Sequence, residues 1–201
     1  MRIFLASRSP RRRELLHQIG VAFDTVVFRE GLRADPATDE TPFAHEDPVA
    51  YVERVTRAKA EHGLRLVTER KLPFRPVLAA DTTLSFAGEI IGKPVDAADA
   101  TAILQRLSGQ THQVLTGVAV SLPGRTEFVL STSEVRFRVI EAEEIRHYVM
   151  SGEPMDKAGA YGIQGRAGMF VEYLAGSYTG VMGLPVCETG ELLKSFGVRS
   201  L

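Results

Sequence analysis

Residues 3–16 read Ile3-Phe4-Leu5-Ala6-Ser7-Arg8-Ser9-Pro10-Arg11-Arg12-Arg13-Glu14-Leu15-Leu16, an apolar run closed by serines and followed by a helical pattern. Ser9 is a good N-cap and Pro10 suits the first helical position, so a strand, a small-residue loop and a helix start follow in order. Arg11, Arg12 and Arg13 then fall in the first turn. Cations there oppose the helix dipole, each at a cost of about 0.3–1 kcal/mol. A helix N-terminus behind a strand is a ready anion site, and arginines add forked donors for phosphate. Two readings stay open at this point: a solvated basic turn, or a seat for a polyphosphate.

The chain has 201 residues, 44% hydrophobic and 24% charged, with a formal net charge of −1. That length is enough for one substantial core, and residues 1–201 are read as a single domain. The near-neutral charge excludes a globally basic coat for nucleic acid. A single cysteine, Cys187, permits no internal disulfide, as expected of a reducing compartment. Neither a signal peptide nor a membrane-length apolar run is present, so no membrane partner is expected and the predicted location is the cytoplasm.

Outward from the opening stretch, residues 11–19 are predicted as a helix stopped by Gly20, and Val21 to Phe28 as a strand. Arg29 to Asp47 is a long polar loop whose Glu30, Asp35, Asp39 and Glu40 are read as mostly solvated. A helix over 48–68 places Val52, Val55 and Lys59 on one stripe. Lys59 either snorkels to water or points at an anion. Residues 76–81 form a buried strand that delivers Asp81-Thr82 to its carboxyl end, where ligands gather in open α/β sheets. The alternative for Asp81 is a turn cap. Thr83 to Ile91 reads as a hairpin around Gly88-Glu89, and Lys93 follows before Pro94.

Ala97 to Leu107 is a helix, 113–122 and 128–139 are strands with Val135, Phe137 and Val139 on one face, and 141–150 is a further helix. The stretch 152–168 carries glycines at 159, 162, 165 and 168 around Lys157 and Gln164. Glycines there permit close backbone approach, and the lysine and amide suit a base edge, although such stretches are usually plain turns. Gly183-Leu184-Pro185 opens a last helix with Val186, Leu193 and Phe196 inward. The five histidines lack zinc-ligand spacing, and neither a Gly-x-Ser-x-Gly elbow nor a P-loop occurs.

Six ordered motifs closely resemble the Maf family of nucleoside triphosphate pyrophosphatases. They are Leu-Ala-Ser-x-Ser-Pro-Arg-Arg (5–12), Tyr-Val-x-Arg-Val-x-x-x-Lys-Ala (51–60), Ala-Asp-Thr (80–82), Gly-Lys-Pro (92–94), Leu-Ser-Gly-x-Thr-His (107–112) and Asp-Lys-Ala-Gly-Ala-Tyr-Gly-Ile-Gln-Gly (156–165). The resemblance implies an α/β fold, a mixed sheet with two lobes flanking a substrate cleft, similar to the inosine triphosphate pyrophosphatases. It also implies cleavage of a nucleoside triphosphate between its α and β phosphates with a divalent metal cation (Mg²⁺, Mn²⁺ or Co²⁺), and a homodimer.

By the same resemblance Asp81 is the base or metal-linked acid that activates water, and Ser7, Arg12, Lys59 and Lys93 hold the polyphosphate. Arg11, Thr82 and Gln164 match the branch acting on dTTP and UTP, a class that extends to modified pyrimidine nucleotides; Lys157 joins the substrate-binding set. Glu30 is the candidate partner of Asp81 in a metal site. The chemistry agrees: attack on an anionic phosphorus needs charge neutralisation more than covalent help, and a carboxylate near a metal can activate water. The rival readings are a nucleotide-binding regulator of septum formation without turnover, and a purine-directed enzyme of the same fold.

Overall fold

In the computed structural model the described residues are 1–26 and 39–199. Among these residues seven strands form one mixed sheet in the order β2-β1-β3-β5-β6-β7, with β4 paired to β3 off that path. The elements are β1 (Ile3–Leu5), α1 (Pro10–Gln18), β2 (Phe23–Thr25), α2 (Pro48–Glu69), β3 (Val77–Phe86), β4 (Glu89–Ile91) and α3 (Ala97–Leu107). Then come β5 (Thr111–Leu122), β6 (Arg125–Phe137), α4 (Ala142–Met150), β7 (Val171–Ala175), α5 (Tyr178–Met182) and α6 (Val186–Ser195), with 3₁₀ turns between α4 and β7. β1 runs parallel to β2 and β3, and all other pairings are antiparallel.

Side-chain alternation along β3 sorts the layers. Val77 and Ala79 pack with Ala60, Leu66 and Val67 of α2 on one face. Leu78 and Ala80 pack with Leu15 and Leu16 of α1 and with Leu192 and Leu193 of α6 on the other. Further along the same strand, Leu84 joins a separate cluster with Leu104 of α3, Ile145 of α4 and Phe137. Three apolar clusters thus share one long strand, and the polar residues Asp81, Thr82 and Thr83 lie between the two at its start and the one near its end.

The pairing of β3 explains why polar groups gather there. On one edge β5 pairs with it continuously from Val77 to Ser85. On the other edge β1 stops at the Leu5–Leu78 pair, and β4 takes over only at the Leu84–Ile91 pair. Among the described residues the intervening stretch has no strand beside it. The sheet has a notch in its edge, and Asp81-Thr82 lines it.

Two expectations are corrected here. β3 does not end at Asp81 but continues to Phe86, so this carboxylate is in mid-strand; the hairpin to β4 turns at Ala87-Gly88, within one residue of the expected Gly88-Glu89. Val139, expected inward, is 70% exposed, because β6 ends at Phe137.

Candidate functional site

The notch is filled from both faces of the sheet. From α2, Lys59 extends its ammonium to 2.7 Å from Asp81 Oδ1. α2 can lie this close because Gly117, the β5 residue opposite Asp81, has no side chain. A Cβ at Gly117 would come within 2.6 Å of Thr56 Oγ1 and 2.7 Å of Phe128. Lys59 is held between two carboxylates, since Glu40 Oε1 is 2.9 Å from the same nitrogen. Asp81 is only 9% exposed, so this ion pair is shielded from water far more than a surface pair. Burial first, and then the charges of Asp81 and Glu40, push the nearby Tyr51 phenol up to about 12.

Glu40 is brought here by a short strap. The Tyr51 hydroxyl donates to the Glu40 carbonyl at 2.9 Å. Arg54 grips Glu46 through two 2.7 Å bonds, donates to the carbonyls of Thr41 (3.1 Å) and Asp39 (3.4 Å), and lies 4.1 Å over the Phe43 ring. The carbonyls of Asp39, Glu40 and Thr41 are therefore all tied to α2. Sequence reading placed Glu40 among solvated loop acids. Its signal was weak, an acid shortly before the Tyr-Val-x-Arg run, and only the fold shows that this run fastens it.

From the opposite face comes Arg12. Ser9 caps α1 by accepting from Arg12 N at 3.4 Å, as the opening stretch predicts. The guanidinium donates to Gly183 O (Nε, 2.8 Å), Ser7 Oγ (Nη1, 3.4 Å) and Thr82 Oγ1 (Nη2, 3.3 Å). Burial pulls the Arg12 guanidinium below its usual value while Asp81 opposes that shift, and a guanidinium stays charged regardless. Among the described residues these contacts leave a pair of its N–H donors for an anion. Ser7 Oγ also accepts from Ser9 N at 3.2 Å, so its own proton remains free to donate.

The structure therefore brings Ser7, Arg12, Lys59, Asp81 and Thr82 together. Arg11 is half-buried and acts electrostatically on both Arg12 and Asp156. Lys157 is bound by the Glu153 carbonyl and Asp156 Oδ1, each at 2.5 Å, and its stem packs against Gly162. Gln164 is exposed beyond Gly162, with its carbonyl oxygen facing that glycine. Lys93 is exposed and forms no hydrogen bond or ion pair among the described residues; its neighbour Gly92 accepts from Gly159 N at 2.9 Å, which ties its loop to the glycine-rich stretch. Glu30 lies outside the described residues.

The glycine-rich stretch is fixed from beneath. Gly159 has φ +71°, and a Cβ there would lie 2.3 Å from Leu84 Cδ1. His112 Nε2 and Tyr161 Oη are 2.8 Å apart in the core, and burial holds His112 down at about 4. The Tyr148 hydroxyl donates to Glu153 Oε1 at 3.1 Å.

As a metal site the donor set is small: among the described residues no group of three His, Cys, Asp or Glu side chains converges. The two carboxylates sharing Lys59 fit a hard cation that takes oxygen ligands, since Mg²⁺ commonly uses one or two carboxylates and completes its shell with water and phosphate.

Comparison with known proteins places this geometry in context. The sequence model of a family described as "Maf-like protein" matches residues 2–196. A "dTTP/UTP pyrophosphatase" of Dechloromonas aromatica is 78% identical over 201 residues, covering 100% of both chains. Proteins of the same name are 62% identical in Aromatoleum aromaticum, over 98% of this chain and 96% of the relative, and 54% identical in Chromobacterium violaceum, over 98% and 95%. Among solved structures, the Staphylococcus aureus Ham1 protein aligns over 68% of this chain and 72% of its own with a TM-score of 0.47 and 17% identity.

Proposed function

The chain belongs to the Maf-like protein family, and on that premise we propose that it hydrolyses dTTP and UTP to the monophosphate and pyrophosphate. The observation that carries this reading is the meeting of Lys59 and Arg12, from opposite faces of the sheet, at Asp81-Thr82 in the notch. Cleavage between the α and β phosphates breaks one P–O bond and leaves a highly charged product. Fixed cations lower that barrier by neutralising charge as it develops.

Each residue has a task in that reading. Arg12, oriented by three acceptors, presents its remaining donors to phosphate oxygens, with the Ser7 hydroxyl beside it and the cations Arg11 and Lys93 as further phosphate contacts. Asp81 accepts the proton of the attacking water or orients that water. Lys59 holds Asp81 and Glu40 side by side and close to the phosphate chain. A divalent cation fits the same pair of carboxylates, Asp81 and Glu40, and when bound would supply further charge neutralisation and water activation. Gln164 offers a donor and an acceptor to a uracil-type edge, with Lys157 behind it. A homodimer and a cytoplasmic setting belong to the same proposal, and sedimentation of the purified protein tests the first.

Pyrophosphate release from a panel of nucleoside triphosphates, including dTTP, UTP, purine nucleotides and 7-methyl-GTP, with Mg²⁺, Mn²⁺ or Co²⁺ and with EDTA, tests the whole. Preference for dTTP and UTP that EDTA abolishes supports substrate and metal together. A rate that EDTA leaves intact removes the metal from the proposal.

A further inference from the structure

Arg12 is oriented by a chain of hydroxyls whose proton directions can be deduced. Thr116 lies on β5 opposite Thr82 and is 0% exposed. Its Oγ1 is 2.8 Å from the Gly180 carbonyl and 3.1 Å from Thr82 Oγ1. A carbonyl only accepts, and a hydroxyl carries one proton. Thr116 therefore donates to Gly180 O and accepts from Thr82. Thr82 has thereby committed its own proton inward, and its oxygen meets Arg12 Nη2 at 3.3 Å with lone pairs alone. The sequence Arg12 to Thr82 to Thr116 to Gly180 runs in one direction.

Its far end returns to the same arginine. Gly180 is in α5, and α5 is closed by Gly183, whose carbonyl accepts from Arg12 Nε at 2.8 Å. Thr116 thus holds Arg12 by two routes, through the Thr82 hydroxyl and through the placement of α5.

We propose that Thr116 is a positioning residue for the polyphosphate clamp, acting through Thr82 and α5 on the Arg12 guanidinium. The proposal rests on the pyrophosphatase reading of this site and deepens it. Thr82 enters that reading as an acceptor that aims Arg12, because its proton is not available to a phosphate oxygen.

Binding of inorganic pyrophosphate, measured by calorimetry on the full chain, tests the proposal without requiring turnover. Thr116→Val keeps the shape and removes the hydroxyl, and should weaken pyrophosphate binding about tenfold, as expected for loss of an orienting hydrogen bond to a charged clamp. Thr116→Ser should stay within about twofold of the parent, because the hydroxyl is retained. In an Arg12→Lys background, Thr116→Val should add little, since the residue it orients has gone. Steady-state kinetics with dTTP should place the loss in KM rather than kcat. If Thr116→Val folds poorly, Thr82→Val cuts the same chain from its accessible end and should show the same non-additivity with Arg12→Lys. Full additivity of Thr116→Val with Arg12→Lys, or a serine variant as weak as the valine one, would overturn the proposal. A parent that binds pyrophosphate but releases none from dTTP contradicts the enzymatic reading instead, and leaves the clamp to be judged by the same cycle.

Discussion

The Lys59 ammonium lies 2.7 Å from Asp81 Oδ1, and the two residues reach that contact from different layers of the fold, α2 and the edge of β3 that no described strand covers. Lys59 also touches Glu40 at 2.9 Å, so one cation separates two acids. Removing it leaves the buried Asp81 and the more open Glu40 carboxylate facing each other without compensation.

Lys59→Met is therefore expected to cost about 1–3 kcal/mol of stability, less than a fully buried pair because Glu40 is half-open to water. It should also lower kcat/KM at least about a hundredfold through loss of a fixed cation beside the phosphates. Adding Glu40→Gln should recover part of the stability but not the rate. Urea unfolding alongside dTTP kinetics separates the two effects.

Arg54 fastens the strap that carries Glu40, and lysine cannot reproduce its fork. Arg54→Lys is expected to lower activity about tenfold or more while moving the melting temperature little, since the contacts it loses lie on a loop rather than in the core. Melting curves and initial rates measured on the same sample decide this.

At Gly159 the backbone is left-handed and a Cβ would meet Leu84 in the core at 2.3 Å. Gly159→Ala should destabilise by about 2–4 kcal/mol, combining backbone strain with overpacking, and should displace the loop bearing Lys157 and Gln164. Gly124 is a control: it has φ +77° with nothing within 4 Å, so alanine there should cost only about 1 kcal/mol. The two urea midpoints, compared with the parent, measure the difference.

His112 makes stability depend on pH. Burial depresses it from 6.5 to about 4 in the folded chain, so the unfolded chain binds a proton first as pH falls. Its contribution is complete above about 6.5, declines as pH falls, and is gone near 4, about 3 kcal/mol in all. His112→Gln, which does not titrate, should lose less stability than the parent between those limits. Parallel unfolding curves with the parent would contradict the assignment, whatever the carboxylates contribute to both.

Much of the fold follows from local signals. Ser9-Pro10 starts α1, and α3 spans Ala97–Leu107 as its apolar spacing predicts. Strand length was harder to read. The apolar run stops at Asp81, yet β3 continues because Thr82, Thr83 and Leu84 pair with β5 regardless of polarity. α5 gave no signal, having five residues with a glycine among them. At the site, three arginines set against the helix dipole marked the first turn of α1 without distinguishing Arg12, and the core-side stripe left Lys59 either snorkelling or facing an anion; the motif resemblance singled both out. Glu40 was not legible as more than an acid in a loop, because its position depends on Tyr51 and Arg54 folding back over it. Long-range closure of that kind leaves no periodicity in the chain.

The most direct test of the account is pyrophosphate release from dTTP and UTP by the parent protein and by Asp81→Asn, an isosteric change that removes the negative charge. The account predicts ready turnover by the parent and a loss of at least about a hundredfold in the variant, the size expected for removing a catalytic carboxylate. Turnover by Asp81→Asn at close to the parent rate would contradict it.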